Sequence, residues 1–222
     1  MSRLAAVVTA IATGIVIVGI VVAVLMTPPF IHYALGSADS AAWLGVSAAQ
    51  AEALSDRTVG EMVFGPATFA FPIVEGGPPM YDASEASHLR DARAVLYALG
   101  VAAVIALVVL GVGFARRRGV VRFWRAVAGG AGVLAVAFAV IGAFFLIAFD
   151  AAFTLFHEVF FPGGNWSFDP TTEHMVQLYP VPFWELTTTV LGALAIVLGG
   201  LVWWLASRRA AALAAVSRGP VA

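Results

Sequence analysis

The sequence contains no cysteine and no lysine, and its twelve basic residues are all arginine. Without cysteine, disulfides, a thiol nucleophile and lipid attachment to a cysteine of this chain are excluded. Charge is scarce: 11% of the 222 residues are charged and 61% are hydrophobic, against roughly 45–50% apolar in soluble domains. Acids are missing altogether before Asp39, between Asp91 and Asp150, and after Glu185. Such a chain belongs in a bilayer. Several catalytic signatures are also missing. No Walker loop or dinucleotide fingerprint occurs, so neither nucleotide-driven chemistry nor a nucleic-acid partner is expected. Gly45-Val46-Ser47-Ala48-Ala49 lacks the last glycine of a serine-hydrolase elbow. His157-Glu158 opens like a zinc-protease motif, but Phe161 stands where the second histidine is needed.

What is abundant is long apolar sequence. Four runs, at about 4–26, 94–115, 124–149 and 186–206, each approach the ~20 residues a helix needs to cross ~30 Å of hydrocarbon. The expectation is an all-α integral membrane protein with four transmembrane helices. The first run is longer than a signal-peptide core of about 7–15 residues, which favours an uncleaved anchor. Arg3, the group Arg116, Arg117, Arg118, Arg122 and Arg125, and the tail with Arg208, Arg209 and Arg218 flank one side. All thirteen acids, with Arg57, Arg90 and Arg93, flank the other. The positive-inside tendency then puts both termini in the cytoplasm. Residues 27–93 and 150–185 face outward as an interfacial cap, and Trp203 with Trp204 reads as an inner aromatic belt.

The polar residues of the cap are few enough to weigh singly. Ser47-Ala-Ala-Gln50 is a capping-box pattern opening a helix toward Met62. Gly76-Gly77-Pro78-Pro79 breaks the chain, after which Asp82 with Glu85 caps a helix that runs into the second span. His88 then stands about 9 Å before Ala94, where the apolar run begins, with Asp91 at i+3 to orient or charge-stabilise its ring. If the third span carries on through AAFTLFHEVFF, His157 lies roughly 12 Å past Phe149, with Asp150 seven residues earlier on the same face. Pro162-Gly163-Gly164 turns the chain, and Asp169-Pro170 supplies an N-cap and first-turn proline for a helix that stops at Pro180. His32 and His174 have no acid at i±3 or i±4 and read as structural. Trp166, Phe160 and Phe161 read first as interfacial anchors. Gly129-Gly130 and Gly199-Gly200 permit close helix packing, and the sequon Asn165-Trp166-Ser167 is a chance match.

The four-span layout, SHLRDARAVL (87–96) and FHEVFF…NWSFDP…LYPVPFW (156–184) together resemble the bacterial lipoprotein intramolecular transacylase family over essentially the whole chain. The resemblance implies an acyltransferase of the bacterial cell membrane, working on its extracytoplasmic face. It would move the sn-2 acyl chain of a diacylglyceryl-modified lipoprotein cysteine onto the α-amino group of that cysteine, giving the lyso-form. Diacylated lipoproteins and membrane lipid are the implied partners, with no cofactor and no metal. The family's two functional histidines fall on His88 and His157, with Asp91 and Asp150 as supporting acids and Trp166, Phe160 and Asp169 as candidate substrate contacts. The chemistry is coherent, since a neutral imidazole near pKa 6.5 can accept a proton from an amine of pKa about 7.7–8.0. Ester-to-amide exchange also needs no nucleotide. A competing reading is a non-enzymatic four-helix membrane protein that binds lipid, or that uses His88 and His157 as haem or metal ligands. Ligands in such bundles usually lie in the bundle core, however, and not beside carboxylates at an interface.

Overall fold

A computed structural model describes residues 1–217; Arg218 of the arginine tail lies outside them. The described chain forms helices α1 (Arg3–Leu25), α2 (Pro28–Ser37), α3 (Ser40–Leu44), α4 (Ala48–Val63), α5 (Ala83–Arg117), α6 (Val121–Ile147), α7 (Phe149–Phe160), α8 (His174–Leu178) and α9 (Val181–Val216). Four of them, α1, α5, α6 and α9, are long and apolar enough to cross a membrane. The only β pairing among the described residues is one bridge between Pro72 and Pro79. This is an all-helical membrane protein, as the four apolar runs require: in hydrocarbon a helix satisfies every backbone group within its own segment.

The chain divides into two compact units. The first comprises Met1–Val22, Ala98–Ala143 and the chain from Leu191 onward. Its interior is built from small residues, with Ala106, Ala126, Ala128, Ala131, Ala195 and Ala206 buried, while Val104, Val133, Val140 and Val197 are exposed. Large apolar side chains outside and small ones inside is the pattern for helices that pack in lipid, where close backbone approach replaces the hydrophobic effect. On α1 the buried stripe Thr9, Ala12, Thr13, Ile17 and Val21 keeps helical spacing. Its two hydroxyls are satisfied four residues back, on the carbonyls of Ala5 and Thr9.

Of the two Gly-Gly pairs inside the long helices, Gly129-Gly130 and Gly199-Gly200, one glycine in each makes the contact. A Cβ on Gly130 would stand 2.1 Å from the carbonyl oxygen of Ala10, and one on Gly199 would stand 3.1 Å from that of Ala131. Gly129 and Gly200 have nothing within 4 Å. Gly130→Val should therefore push α1 and α6 apart and cost about 1–3 kcal/mol of stability, whereas Gly129→Ala should be tolerated. Thermal unfolding in detergent separates the two.

The second unit, Ala23–Tyr97 with Phe144–Val190, holds a separate core. Ile31 and Leu35 of α2, Leu54 of α4, Phe69, Phe71, Met80, Leu89, Met175, Leu178 and Phe183 pack together in it. Fully burying each large apolar side chain is worth about 1.5–3 kcal/mol, so this core is the main force holding the short elements together. Two polar struts cross it. Ser55 and Tyr179 share a hydrogen bond of 2.9 Å, and Thr58 and Tyr81 one of 2.8 Å. Burial pushes the Tyr179 hydroxyl up to about 12, so it stays a neutral partner.

Several local expectations are met and others corrected. Ser47 and Gln50 form the full capping box that starts α4. Asp82 and Glu85 form the reciprocal pair that starts α5, each backbone N–H reaching the other's carboxylate at 2.8 Å. The third span does not run unbroken into FHEVFF. Ala148 leaves the helical region at φ −143° and ψ 62°, so α7 begins afresh with Asp150 in its first turn, where a carboxylate meets the positive end of the helix dipole. A count of helical rises therefore does not give the height of His157. Asp169 does not cap a helix either: α8 starts at His174, and Asp169 folds a local turn by accepting the Thr171 backbone N–H at 2.8 Å and its hydroxyl at 2.7 Å.

Candidate active site

The site lies wholly in the second unit and is assembled from the start of α5, from α7 and from the segment after α7. The apolar run of α5 begins at Ala94, and the turns before it carry Glu85, His88, Arg90, Asp91 and Arg93.

Glu85 fixes this entrance. Only 1% exposed, its carboxylate accepts from the Asp82 backbone N–H through one oxygen and from the Met175 N–H at 2.6 Å through the other. His174 Nδ1 in turn bonds the Met80 carbonyl at 2.5 Å. Residues 80–85 and 173–175 are thereby latched together one helical turn from His88. Glu85→Ala removes a cap and strands the buried Met175 N–H, so a loss on the order of 2–3 kcal/mol is expected in thermal unfolding.

His88 is 7% exposed and His157 8%. Their rings are stacked, with centroids 5.9 Å apart and planes 26° from parallel. An aromatic box surrounds them: Phe161 and Phe168 lie 4.7 and 5.6 Å from His88, and Phe153 and Trp166 lie 4.0 and 5.1 Å from His157. Helical spacing explains part of the box, since Phe153 and Phe161 stand four residues before and after His157 and share its face.

The hydrogen bonds define the state of the rings. His157 Nδ1 lies 2.8 Å from the carbonyl oxygen of Phe153. A carbonyl only accepts, so Nδ1 carries the proton and Nε2 presents a lone pair. His88 Nδ1 is buried without a partner. Burial holds both imidazoles below their usual range. The His88 pKa falls to about 4, through desolvation first and the neighbouring His157 second, against a smaller opposing pull from Asp91. His157 is lowered by desolvation, partly offset by its bond to Phe153. Both rings are neutral at pH 7.

The remaining candidates divide. Trp166 touches His157, whereas Phe160 is exposed and stacks on Phe156 at 4.8 Å. Asp91 is not bonded to His88; its carboxylate accepts from Asn165 Nδ2 at 2.7 Å. Asp150 is exposed, and the polar partner of His157 is the Phe153 carbonyl instead. Asp169 is exposed and held in its turn, where the Thr171 bonds lower its carboxyl pKa. His32 does have acidic partners, Asp56 at 2.8 Å and Glu52 at 3.8 Å, both from α4 and so invisible to local spacing. Asn165 and the Glu85–Met175 latch are contributions that residue-by-residue reading missed.

Two neutral buried imidazoles stacked in an aromatic box at the head of a membrane-crossing helix suit acid–base work on a lipid-borne group. Residues 6–184 match the family of the lipoprotein intramolecular transacylase Lit, and the chain belongs to that family, which makes it a membrane-integral acyltransferase. Among solved structures it is similar to the membrane-integral lipoprotein intramolecular transacylase Lit from Bacillus cereus. The TM-score is 0.76 at 15% identity, covering 98% of each chain. A variant of that protein with one histidine replaced by arginine matches at a TM-score of 0.70 and 14% identity, over 97% of this chain and 93% of the other. Its counterpart with histidine replaced by alanine matches at 0.65 and 16%, over 98% and 96%. No curated protein sequence matches the chain.

Proposed function

We propose that the protein moves the sn-2 acyl chain of a diacylglyceryl-cysteine lipoprotein to the α-amino group of the same cysteine, with His157 as general base and His88 as the donor facing it. The observation that carries this reading is the tautomer of His157. Its Nδ1 proton is held by the Phe153 carbonyl, which leaves Nε2 free to accept a proton. In the reaction the neutral amine nitrogen attacks the ester carbonyl carbon while its proton passes to Nε2. The N–H of neutral His88 stabilises the tetrahedral oxyanion. The ester C–O bond then breaks, and the leaving glycerol oxygen takes up the proton from the His157 imidazolium. One amide and one hydroxyl form from one amine and one ester, so no co-reactant is needed. Both reacting groups sit on one cysteine, so proximity comes largely with the substrate.

The arginine asymmetry supports a placement with both termini in the cytoplasm and the histidines on the outer face of a bacterial cell membrane, where lipoproteins carry their lipid. Trp166 and the phenylalanines around the rings are apolar walls suited to acyl chains. The ligand-binding alternative is disfavoured by the stacking. It turns the two π faces toward each other, where axial ligation needs two lone pairs aimed at one metal. Mass spectrometry of lipoprotein N-termini from cells with and without the gene tests the proposal. N-acyl lyso-lipoprotein is expected only when the gene is present; an unchanged acyl position would overturn it.

A further inference from the structure

Four buried side-chain polar atoms among the described residues have no hydrogen-bond partner: Ser40 Oγ, Thr187 Oγ1, His88 Nδ1 and Asn165 Oδ1. Two of the four belong to the histidine site. We propose that Asn165 is a substrate-positioning residue whose amide oxygen accepts an N–H of the attacking α-amino nitrogen; this rests on the transacylase reading above.

The orientation of the amide is fixed. Asp91 Oδ2 lies 2.7 Å from Asn165 Nδ2, and an ionised carboxylate offers no donor, so a flipped amide would set oxygen against oxygen. Ser87 Oγ gives Nδ2 a second, longer acceptor at 3.4 Å. Oδ1 is thus committed as an acceptor, buried, and without a donor in the protein. Such an atom is unfavourable until a ligand brings the missing N–H. Its neighbours say which ligand. Ser87 and Asp91, which hold Asn165 Nδ2, flank His88 on α5, and the next residue, Trp166, lies against the His157 ring at 5.1 Å, so Asn165 joins the segment that carries Trp166 to the turn that carries His88. A neutral primary amine carries two N–H groups. One is consumed by His157 Nε2; the second suits Asn165 Oδ1 and would turn the nitrogen lone pair toward the ester carbon. The reaction then selects a free α-amine and excludes a nitrogen that is already acylated, which lacks the second N–H.

The alternative is that Asn165 only clamps its loop to α5. The test uses the full-length protein in liposomes with a diacylglyceryl-cysteine peptide, comparing Asn165→Ala, Asp91→Ala and Asn165→Asp with the parent. A clamp is broken equally by Asn165→Ala and Asp91→Ala. An acceptor survives in Asp91→Ala, so Asn165→Ala should be slower by roughly tenfold, the worth of one lost hydrogen bond, with kcat carrying the loss. Asn165→Asp keeps an acceptor but adds charge beside Asp91, Ser87, His88, His157 and the substrate nitrogen. That carboxylate holds the nitrogen as ammonium, so the rise of activity with pH should move upward by about half to one unit. Burial holds both imidazoles below their usual range, on the far side of the amine limb. Equal rates for Asn165→Ala and Asp91→Ala, or an unmoved pH limb in Asn165→Asp, overturn the proposal while leaving the transacylase reading intact. If Asn165→Asp does not fold, the two alanine variants decide. A parent protein that makes no lyso-form overturns both.

Discussion

Replacing His157 by alanine should lower transacylation by about 10²–10⁴-fold, the usual contribution of a general base, while the protein remains folded in detergent. The ring spans no membrane, and its one polar bond is to the Phe153 carbonyl in its own helix, so its removal leaves the latch of Glu85 and Met175 untouched. His88→Ala should fall in the same range, because it removes the N–H that meets the oxyanion. In the proposed reaction the two rings act on one tetrahedral step, His157 on the proton and His88 on the oxyanion, so the double variant should be hardly slower than either single one. His32→Ala is the control: its partners are Asp56 and Glu52 of α4, and most of the rate should remain. A His157→Ala protein that is intact and within about tenfold of the parent would remove the base from the mechanism.

The pH dependence follows from the same burial. A base with an ordinary imidazole pKa would lose activity as pH falls through about 6.5. Both rings are held lower, His88 at about 4 and His157 below its usual value, so protonation of the imidazoles is displaced to lower pH. In the proposed reaction the group that titrates is the substrate amine, with a reference pKa of about 7.7–8.0, since only its neutral form can attack. Activity should therefore fall by up to about tenfold per unit as pH drops below the amine pKa, without a break at the ordinary imidazole value near 6.5. The slope should steepen only below the lowered histidine pKa values, where the rings begin to charge. A plateau down to pH 6.5 followed by a drop would instead mark an imidazole as the limiting group.

Much of this architecture is legible in the sequence because it is written in runs and in neighbours. Each span is a continuous apolar stretch, and the caps at Ser47 and Asp82 are settled within three residues. Whatever depends on a partner far along the chain is not legible. Asp91 looked like the orienting acid of His88 because it lies one turn away, yet its carboxylate is taken by Asn165, 74 residues on. His32 looked solitary because its acids come from another helix, 20 and 24 residues away. Asp150 lies seven residues before His157 in α7, but it is exposed, and the polar partner of the His157 ring is the Phe153 carbonyl of the same helix. His88 and His157 meet as a stacked pair inside the aromatic packing of Phe153, Phe161, Phe168 and Trp166.

Tandem mass spectrometry of a synthetic diacylglyceryl-cysteine peptide, incubated with the purified protein in liposomes, tests whether the stacked pair of His88 and His157 carries an acyl chain from oxygen to nitrogen within one lipoprotein. The expected product has unchanged mass and fragments that place one acyl chain on the α-nitrogen, formed by the parent and lost with His157→Ala. A peptide that keeps both chains on glycerol after incubation with the parent, or one that is rearranged equally well by His157→Ala, would contradict it.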